Sequence, residues 1–242
     1  MMPEQPHLSV VFPVYNEEEN IPVLLEEIAA ALRGTPWAYE MIAVDDGSND
    51  RSLAVLRESR EKTPNLRVLT FEKNSGQTAA LDAGWRAARG RFVVSLDADL
   101  QNDPADIPRM MKRLEEMHAD MVIGVRVNRQ DTWARKMQSR IGNGVRNWIT
   151  GDRITDTGCS LKLLRREAIE RVRLFTGMHR FLPTLVRLQG YKVVEMPVNH
   201  RSRKFGVSKY GAMNRAMRGL VDCFAVRWMR KRMLNYKVTE ES

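Results

Sequence analysis

Cysteine is scarce in this sequence, with two residues, Cys159 and Cys223, in a chain of 242. They lie far apart and match no metal-binding spacing, so the sequence excludes a disulfide framework and predicts a reducing compartment. The first seven residues lack the basic and then apolar segments of a signal peptide. No apolar run approaches the roughly 18 residues that span a bilayer. We therefore expect a cytoplasmic protein without a transmembrane span.

Glycine-rich phosphate-binding loops are also missing. No Gly-x-Gly-x-x-Gly motif follows the first strand-like segment, and the sequence contains no Walker loop. Such loops surround the phosphates of dinucleotides and of nucleoside triphosphates. Their absence argues against a dinucleotide-dependent oxidoreductase and against a P-loop NTPase.

Acidic residues are outnumbered by basic ones, 30 to 39, which gives a formal net charge of +9. This charge predicts an acidic partner, which can be nucleic acid, an anionic membrane surface or a phosphorylated substrate. The basic residues are not interleaved with the aromatic side chains on which single-stranded bases usually stack. We therefore expect no nucleic-acid partner and favour the other two.

Strand-like and helix-like segments alternate through the first half of the sequence. Apolar strand-like segments begin at Leu8, Tyr39, Leu66, Phe92 and Met121, with helical patterns between them. This alternation predicts an α/β protein whose mostly parallel central sheet has helices on both faces. In such sheets, ligands bind beyond the carboxyl ends of the strands.

Each of the first four predicted strands ends in a polar cluster. The clusters are Tyr15-Asn16-Glu17, Asp45-Asp46, Asn74 with Gly76, and Asp97, Asp99 and Gln101. A single cluster of this kind is often a helix cap or a turn. Four in succession at one edge of a sheet favour a ligand-binding site.

Asp97 and Asp99 stand one residue apart at the end of the fourth strand, so an extended chain places them on one side. Two carboxylates that meet there repel each other unless a cation joins them. Mg²⁺ or Mn²⁺ takes oxygen ligands and leaves positions for substrate phosphates. The pair therefore favours a metal–diphosphate site. The alternative is a loop whose acids cap the next helix.

Six motifs, in order and at their spacing, resemble those of family 2 glycosyltransferases, most of all the branch that transfers sugars to dolichyl or polyprenyl phosphate. They are Phe12–Glu17, Val44–Asp50, Asn74–Leu81, Asp97–Pro104, Asp156–Lys162 and His200–Tyr210. The resemblance covers roughly residues 8 to 215 and implies a GT-A fold and a UDP- or GDP-linked sugar donor.

The resemblance also implies roles for individual residues on the donor side. Pro13, Tyr15 and Glu17 would line the nucleoside pocket, and Asp45 or Asp46 would bind the base or the ribose. The remaining donor contacts would be Asn74, Gly76 and Asp97. The metal, Mg²⁺ or Mn²⁺, would be held against the donor diphosphate by Asp97, Asp99 and Gln101.

Asp156 is the candidate catalytic carboxylate by resemblance, together with Asp99. A sugar-hydroxyl acceptor needs a general base, whereas a phosphate acceptor arrives largely ionised. Asp156 would therefore be a base in the first case and a positioning group in the second; a turn aspartate is the alternative. The expected phosphate contacts are Arg126, Arg135 and Arg203, with Lys209 in a loop that orders over the donor, although any of these side chains could be solvated surface.

The sequence predicts a catalytic domain at residues 1–211, then a basic amphipathic helix and a polar tail at 212–242. Apolar residues of that helix recur at steps of three or four: Met213, Met217, Leu220, Val221, Phe224 and Trp228. Such a helix lies on a membrane surface or packs on its own domain, and the sequence leaves both open. Many relatives of this branch continue into transmembrane helices, whereas this sequence stops at Ser242. Lipid contact would then be direct, through a membrane partner subunit, or absent.

The functional hypothesis is an inverting, metal-dependent glycosyltransferase that acts on polyprenyl phosphate. We expect it to be peripheral on the cytoplasmic face of the membrane. A saccharide hydroxyl as acceptor is the first alternative, and a non-catalytic binding subunit is the second. The intact set of Asp97, Asp99, Gln101 and Asp156 argues against the latter.

Overall fold

The computed structural model describes residues 5–127, 133–202 and 212–233. The strands are β1 (Leu8–Val14), β2 (Tyr39–Asp45), β3 (Leu66–Thr70), β4 (Phe92–Ser95), β5 (Met121–Arg126), β6 (Lys162–Arg165) and β7 (Val193–Val198). The α-helices are α1 (Asn20–Leu32), α2 (Ser52–Lys62), α3 (Gln77–Ala87), α4 (Ile107–Glu116), α5 (Trp133–Thr150), α6 (Arg166–Glu170), α7 (Leu182–Leu188) and α8 (Ala212–Arg232). Two short 3₁₀ helices precede α4 and α7.

The seven strands form one sheet in the order β3-β2-β1-β4-β6-β5-β7. Every neighbouring pair is parallel except the two that involve β6. The predicted α/β fold with a mostly parallel sheet is therefore confirmed. The sequence analysis did not predict β6, whose four residues are too few to show a clear period.

Helices cover both faces of the sheet, as predicted. Val10 and Phe12 of β1 pack into one apolar cluster with residues of α1 and α4. Val11, on the opposite face of the same strand, packs into a second cluster with residues of α3 and α7. Because β1 is buried on both faces, its sequence is an almost continuous apolar run rather than an alternating one.

The antiparallel direction of β6 decides which loops reach the functional end of the sheet. Lys162, the first residue of β6, pairs with Ser95, the last residue of β4. The loop that precedes β6 carries Asp156 and therefore arrives where β4 ends and Asp97 follows. β5 ends at Arg126 on the same side. We call this side, where the parallel strands end, the carboxyl edge.

Candidate active site

Asp46 organises the loop between β3 and α3. Its carboxylate accepts hydrogen bonds from Asn74 Nδ2 (3.1 Å) and from the backbone N–H groups of Ser75 (2.6 Å) and Gly76 (2.9 Å). Burial raises the pKa of Asp46, and the Ser75 and Gly76 N–H groups oppose that rise. Both carboxylate oxygens are engaged, so Asp46, Asn74 and Gly76 form one structural unit at the carboxyl edge.

Asp45, the last residue of β2, has an oxygen without a donor. The residue is 1% exposed, and its Oδ2 atom accepts a hydrogen bond from Thr70 Oγ1 at 3.3 Å. Its Oδ1 atom has no hydrogen-bond partner among the described residues. A buried carboxylate oxygen in this state is costly, and a ligand N–H or O–H group would satisfy it. Of the two adjacent acids, Asp45 is therefore better placed to receive a base or a ribose.

Three predicted nucleoside-pocket residues lie at the end of β1 and in the loop after it: Pro13 in the strand, and Tyr15 and Glu17 in the loop, all partly exposed. The hydroxyl of Tyr15 accepts a hydrogen bond from Asn49 Nδ2 at 3.4 Å. The backbone N–H of Glu17 donates to Ser52 Oγ at 2.8 Å. Since β1 and β2 are paired in register, this loop lies beside the end of β2.

Asp97 and Asp99 follow β4 and interact with each other. Asp97 accepts a hydrogen bond from Gln77 Nε2 at 2.7 Å, and Asp99 Oδ1 accepts one from the backbone N–H of Gln101 at 3.2 Å. Leu100 adopts a left-handed φ of 60°, which is uncommon for a bulky side chain and is often found at functional sites. Burial and the neighbouring Asp99 carboxylate raise the pKa of Asp97 to about 6.

The pair of carboxylates fits a divalent cation that also binds a ligand. Among the described residues, no three His, Cys, Asp or Glu side chains converge as a complete metal site. Mg²⁺ and Mn²⁺ commonly take one or two carboxylates and complete their coordination with water and substrate phosphates. A cation at Asp97 and Asp99 would relieve the repulsion that raises the pKa of Asp97. The two carboxylates are therefore compatible with a metal that a substrate phosphate would share.

Lys162 is a buried cation at the site that the sequence analysis did not select as functional. It is 6% exposed and donates a hydrogen bond to the backbone carbonyl of Cys159. Burial lowers its pKa, whereas Asp97 and Asp156 act in the opposite direction. The sequence did contain a signal for this residue, because Lys162 is the single charged residue in the otherwise apolar run Leu161–Leu164. A lysine in such a run is expected to be buried, and a buried lysine is almost always paired.

Asp156 and Arg126 form a two-point ion pair. Arg126 Nε donates to Asp156 Oδ2 at 2.8 Å, and Arg126 Nη2 donates to Oδ1 at 2.9 Å. The backbone N–H of Gly158 also donates to Oδ1, at 3.2 Å. Asp156 therefore also forms the local turn that the sequence analysis gave as the alternative to a catalytic role. Arg203 and Lys209 lie outside the described residues, as does the side chain of Arg135, so their predicted roles stay predictions.

The segment after β7 is fastened to the loop that carries Asp99. The backbone N–H of Arg201 donates to the Gln101 carbonyl at 2.9 Å. The Arg201 guanidinium contacts both carboxylate oxygens of Glu27 at 2.8 Å and Asp103 at 2.7 Å. Arg201 therefore stabilises the position of the loop that carries Asp99.

A cavity of about 110 Å³ opens between α3 and the 3₁₀ helix before α7. Its lining includes Asp97, Lys162, His179 and Arg180. The Nδ1 atom of His179 lies 2.7 Å from Thr78 Oγ1, which fixes the ring at the cavity wall. The cavity places polar groups of both charges next to the candidate metal site, as a polar ligand requires.

Among solved structures, the fold is similar to a mannosyltransferase from Pyrobaculum calidifontis in complex with GDP-Man and Mn²⁺. The TM-score is 0.65 and the identity 23%, over 92% of this chain and 64% of that one. It is also similar to glucosyl-3-phosphoglycerate synthase from Mycobacterium tuberculosis in complex with UDP, with a TM-score of 0.70 and 18% identity, over 92% and 80% of the two chains. At these identities, the likeness establishes the GT-A fold.

Two curated relatives are much closer in sequence. Dodecaprenyl-phosphate galacturonate synthase from Rhizobium johnstonii is 43% identical over 224 residues, which is 90% of this chain and 66% of the relative. Undecaprenyl-phosphate 4-deoxy-4-formamido-L-arabinose transferase from Serratia proteamaculans is 41% identical over 219 residues, 89% of this chain and 67% of the relative. The chain thus spans about two-thirds of the length of these relatives. The profile of glycosyl transferase family 2 matches residues 9–173, and the chain belongs to that family.

Proposed function

We propose that this protein is an inverting, metal-dependent glycosyltransferase that moves a sugar from a UDP- or GDP-linked donor to a polyprenyl phosphate. The names of the two relatives, a dodecaprenyl-phosphate and an undecaprenyl-phosphate sugar transferase, support the acceptor class. The complexes of the structural neighbours with UDP or with GDP-Man and Mn²⁺ support the donor class and the metal. The observation that carries the proposal is the repelling pair of Asp97 and Asp99 at the carboxyl edge.

On the donor side, Asp45 Oδ1 accepts a hydrogen bond from an N–H or O–H group of the nucleoside. Pro13 at the end of β1, with Tyr15 and Glu17 in the loop after it, flanks the nucleoside. Asp97 and Asp99, with Gln101 beside them, would hold Mg²⁺ or Mn²⁺ together with the donor diphosphate. The cation would supply positive charge that stabilises the leaving nucleoside diphosphate.

On the acceptor side, the pairing of Asp156 favours an acceptor that is already ionised. A carboxylate with both oxygens on one guanidinium is a weak base, because protonation would break a charge-assisted pair. A lipid phosphate needs no base, since its second pKa is near 6. Its oxygen bonds to the anomeric carbon from the face opposite the diphosphate, whose bond to that carbon breaks. Asp156 then orients Arg126 toward the acceptor phosphate.

Ligand-induced stabilisation tests the donor site. A ligand that binds only the folded state raises the melting temperature. We expect a UDP- or GDP-sugar with Mn²⁺ to raise it, and we expect the rise to vanish in Asp99→Asn. Asp82→Asn is the matched control, because among the described residues Asp82 pairs with Arg86 on the partly exposed side of α3. A panel in which no nucleotide sugar stabilises the wild type would contradict the proposal.

Transfer assays then test the acceptor. We expect a labelled product with undecaprenyl phosphate, and a defect in Asp156→Asn that is partial rather than complete. Two results together would favour the alternative in which Asp156 is a general base: the wild type forms product only on a saccharide hydroxyl, and a folded Asp156→Asn protein loses nearly all of that activity. Circular dichroism of the variant excludes unfolding as the cause.

A further inference from the structure

Large apolar side chains are exposed on α5 and α8 far more than elsewhere. Of nine such side chains in the part of the chain that the structure describes, seven lie on these two helices. They are Ile141, Val145 and Trp148 on α5, and Leu220, Val221, Phe224 and Trp228 on α8. We call these seven residues the α5–α8 face. Trp148 is 79% exposed and Trp228 is 63% exposed, so most of each indole ring contacts solvent rather than the core.

This exposure does not arise from an undocked helix. α5 and α8 pack against each other, with Ile149, Cys223 and Val226 buried in the core. Arg227 and Arg230 of α8 donate to the last carbonyl groups of α5, at 3.1 Å and 2.9 Å. α8 is therefore held by one stripe of its surface while a second apolar stripe, at steps of three and four residues, faces solvent.

The charge of both helices selects one kind of partner. Within α5 and α8, ten residues are Lys or Arg and one, Asp222, is acidic. Asp222 faces Arg180 at 3.6 Å. Exposed tryptophan beside apolar and basic side chains fits the headgroup region of an anionic bilayer. A second copy of this chain would bring the same positive charge against itself, and that juxtaposition is unfavourable.

Both helices also contact the candidate active site. Asn143 of α5 donates from Nδ2 to the carbonyl of Thr155 at 2.7 Å, and its Oδ1 accepts from Thr157 Oγ1 at 3.3 Å. Asn143 thus holds the residues on either side of Asp156. On α8, Asp222 pairs with Arg180, which lines the cavity next to Asp97.

We propose that the α5–α8 face docks on an anionic lipid bilayer and thereby sets the Asp156 loop and the adjoining cavity close to the headgroups. A lipid-linked phosphate reaches the site from there while its chain stays in the membrane. This second part rests on the proposed polyprenyl-phosphate acceptor, whereas the docking itself does not.

Vesicle flotation of the full chain tests the docking. The wild type is expected to float with vesicles of phosphatidylcholine and phosphatidylglycerol, and much less with phosphatidylcholine alone. Phe224→Ser with Trp228→Ser removes apolar contact, and Lys231→Glu with Arg232→Glu reverses charge at the end of α8. We expect each double variant to bind the anionic vesicles about tenfold more weakly or worse. Arg60→Glu with Lys62→Glu reverses charge in the last turn of α2 and should bind like the wild type.

We expect the variants to fold, because the substituted side chains are exposed. Circular dichroism and thermal melting check this. Absent binding of the wild type to anionic vesicles, or unchanged binding of both α8 variants, would overturn the proposal. A dimer in solution that Phe224→Ser with Trp228→Ser converts to monomer, without vesicle binding, would make a second copy the occupant and overturn it equally.

Transfer to a short-chain, water-soluble prenyl phosphate separates this inference from the proposed function. We expect the α8 variants to retain that activity and to lose transfer to a long-chain acceptor in vesicles. Vesicle binding as expected, with no transfer to any acceptor in any protein, would support the docking surface and contradict the proposed function. Equal loss of both activities in a folded variant would contradict the docking role in acceptor delivery.

Discussion

Neighbouring acids at the carboxyl edge have different surroundings. Asp46 is saturated by N–H donors of its own loop, whereas Asp45 keeps an oxygen without a donor. Asp97 is destabilised as an anion by Asp99, and Asp156 is stabilised by Arg126. The environment of each carboxylate, rather than the residue type, thus distinguishes structural acids from candidate ligand-binding ones.

The first prediction at this scale concerns pH. Because the pKa of Asp97 is raised to about 6, the carboxylate is protonated below that pH and must lose a proton to bind a cation. We expect the affinity for Mn²⁺ with a nucleotide to rise as pH increases through 6, by about tenfold per pH unit on the acidic side. Calorimetric titration measures it. Asp97→Asn should bind weakly and with little pH dependence; a pH-independent wild type would refute the prediction.

The second prediction compares the two adjacent acids of the β2 end. Asp46→Asn loses carboxylate acceptance of the Ser75 and Gly76 N–H groups and should lower the free energy of unfolding by about 1–3 kcal/mol. Asp45→Asn should leave stability nearly unchanged and weaken nucleotide binding, because its open oxygen Oδ1 serves the ligand. Denaturant unfolding and nucleotide titration of both variants decide the matter. Equal stability losses in the two would show that Asp45 is structural.

At the scale of elements, α3 approaches β1 so closely that a glycine is required at the contact. A Cβ atom on Gly84 would lie 2.3 Å from Val11 Cγ1 and 3.1 Å from Val44 Cγ2. Both neighbours are β-branched residues in buried strands, so they have little freedom to move. This close packing positions the start of α3, where Gln77 contacts Asp97.

The third prediction follows from that contact. Gly84→Ala overpacks the interface and should lower the free energy of unfolding by about 1–3 kcal/mol despite the higher helix propensity of alanine. Gly142→Ala on α5 is the matched control, because nothing lies within 4 Å of its added Cβ. That control should be stabilised by up to about 1 kcal/mol. Denaturant titration tests both, and a stable Gly84→Ala protein would contradict the close packing.

At the scale of the whole molecule, the carboxyl edge of the sheet and the opposite edge, where the parallel strands begin, differ in how their charged groups are paired. On the edge opposite the site, Glu40 accepts hydrogen bonds from Ser9 Oγ, Arg67 Nη1 and the Arg89 N–H, each at 2.7 Å. Burial opposes ionisation there, but these donors hold the pKa of Glu40 below its ordinary value. Glu40 thus joins three strands in a satisfied network, while the carboxyl edge holds unsatisfied and repelling groups.

The fourth prediction is that a substitution at the edge of Glu40 lowers stability, whereas a substitution at the carboxyl edge lowers ligand binding. Glu40→Gln should lower the melting temperature and keep the stabilisation by nucleotide and Mn²⁺. Asp99→Asn should keep or raise the melting temperature, since it removes a repulsion, and should lose that stabilisation. The stabilisation that Glu40 contributes also depends on pH. Its contribution is present at neutral pH and is lost as the pH falls through its depressed pKa, so the two proteins should converge in acid.

Thermal melts of the three proteins across pH, with and without ligand, supply the measurement. A Glu40→Gln protein that melts like the wild type at neutral pH would contradict the structural role of that edge. Loss of the ligand effect in Glu40→Gln would show that the edges are coupled. Among the described helices, none is long and apolar enough to cross a bilayer.

The sequence by itself determined the alternating elements, the parallel sheet and the edge at which the polar clusters lie. It could do so because hydrophobic period is a local property, and strands that alternate with helices run parallel and end at the same edge. The order of the motifs also sufficed to identify the family. The five predicted strands begin where expected, at Leu8, Tyr39, Leu66, Phe92 and Met121.

Only the tertiary structure decided how the individual groups pair. Lys162 lines the same cavity as Asp97, and Asp156 pairs with Arg126, because the short antiparallel β6 lies between β4 and β5. No local sequence pattern encodes this long-range arrangement. In the same way, the sequence showed an apolar stripe on α8 but not which stripe is buried. Packing against α5 buried Cys223 and Val226 and left Phe224 exposed, because burial depends on contacts between segments distant in the chain.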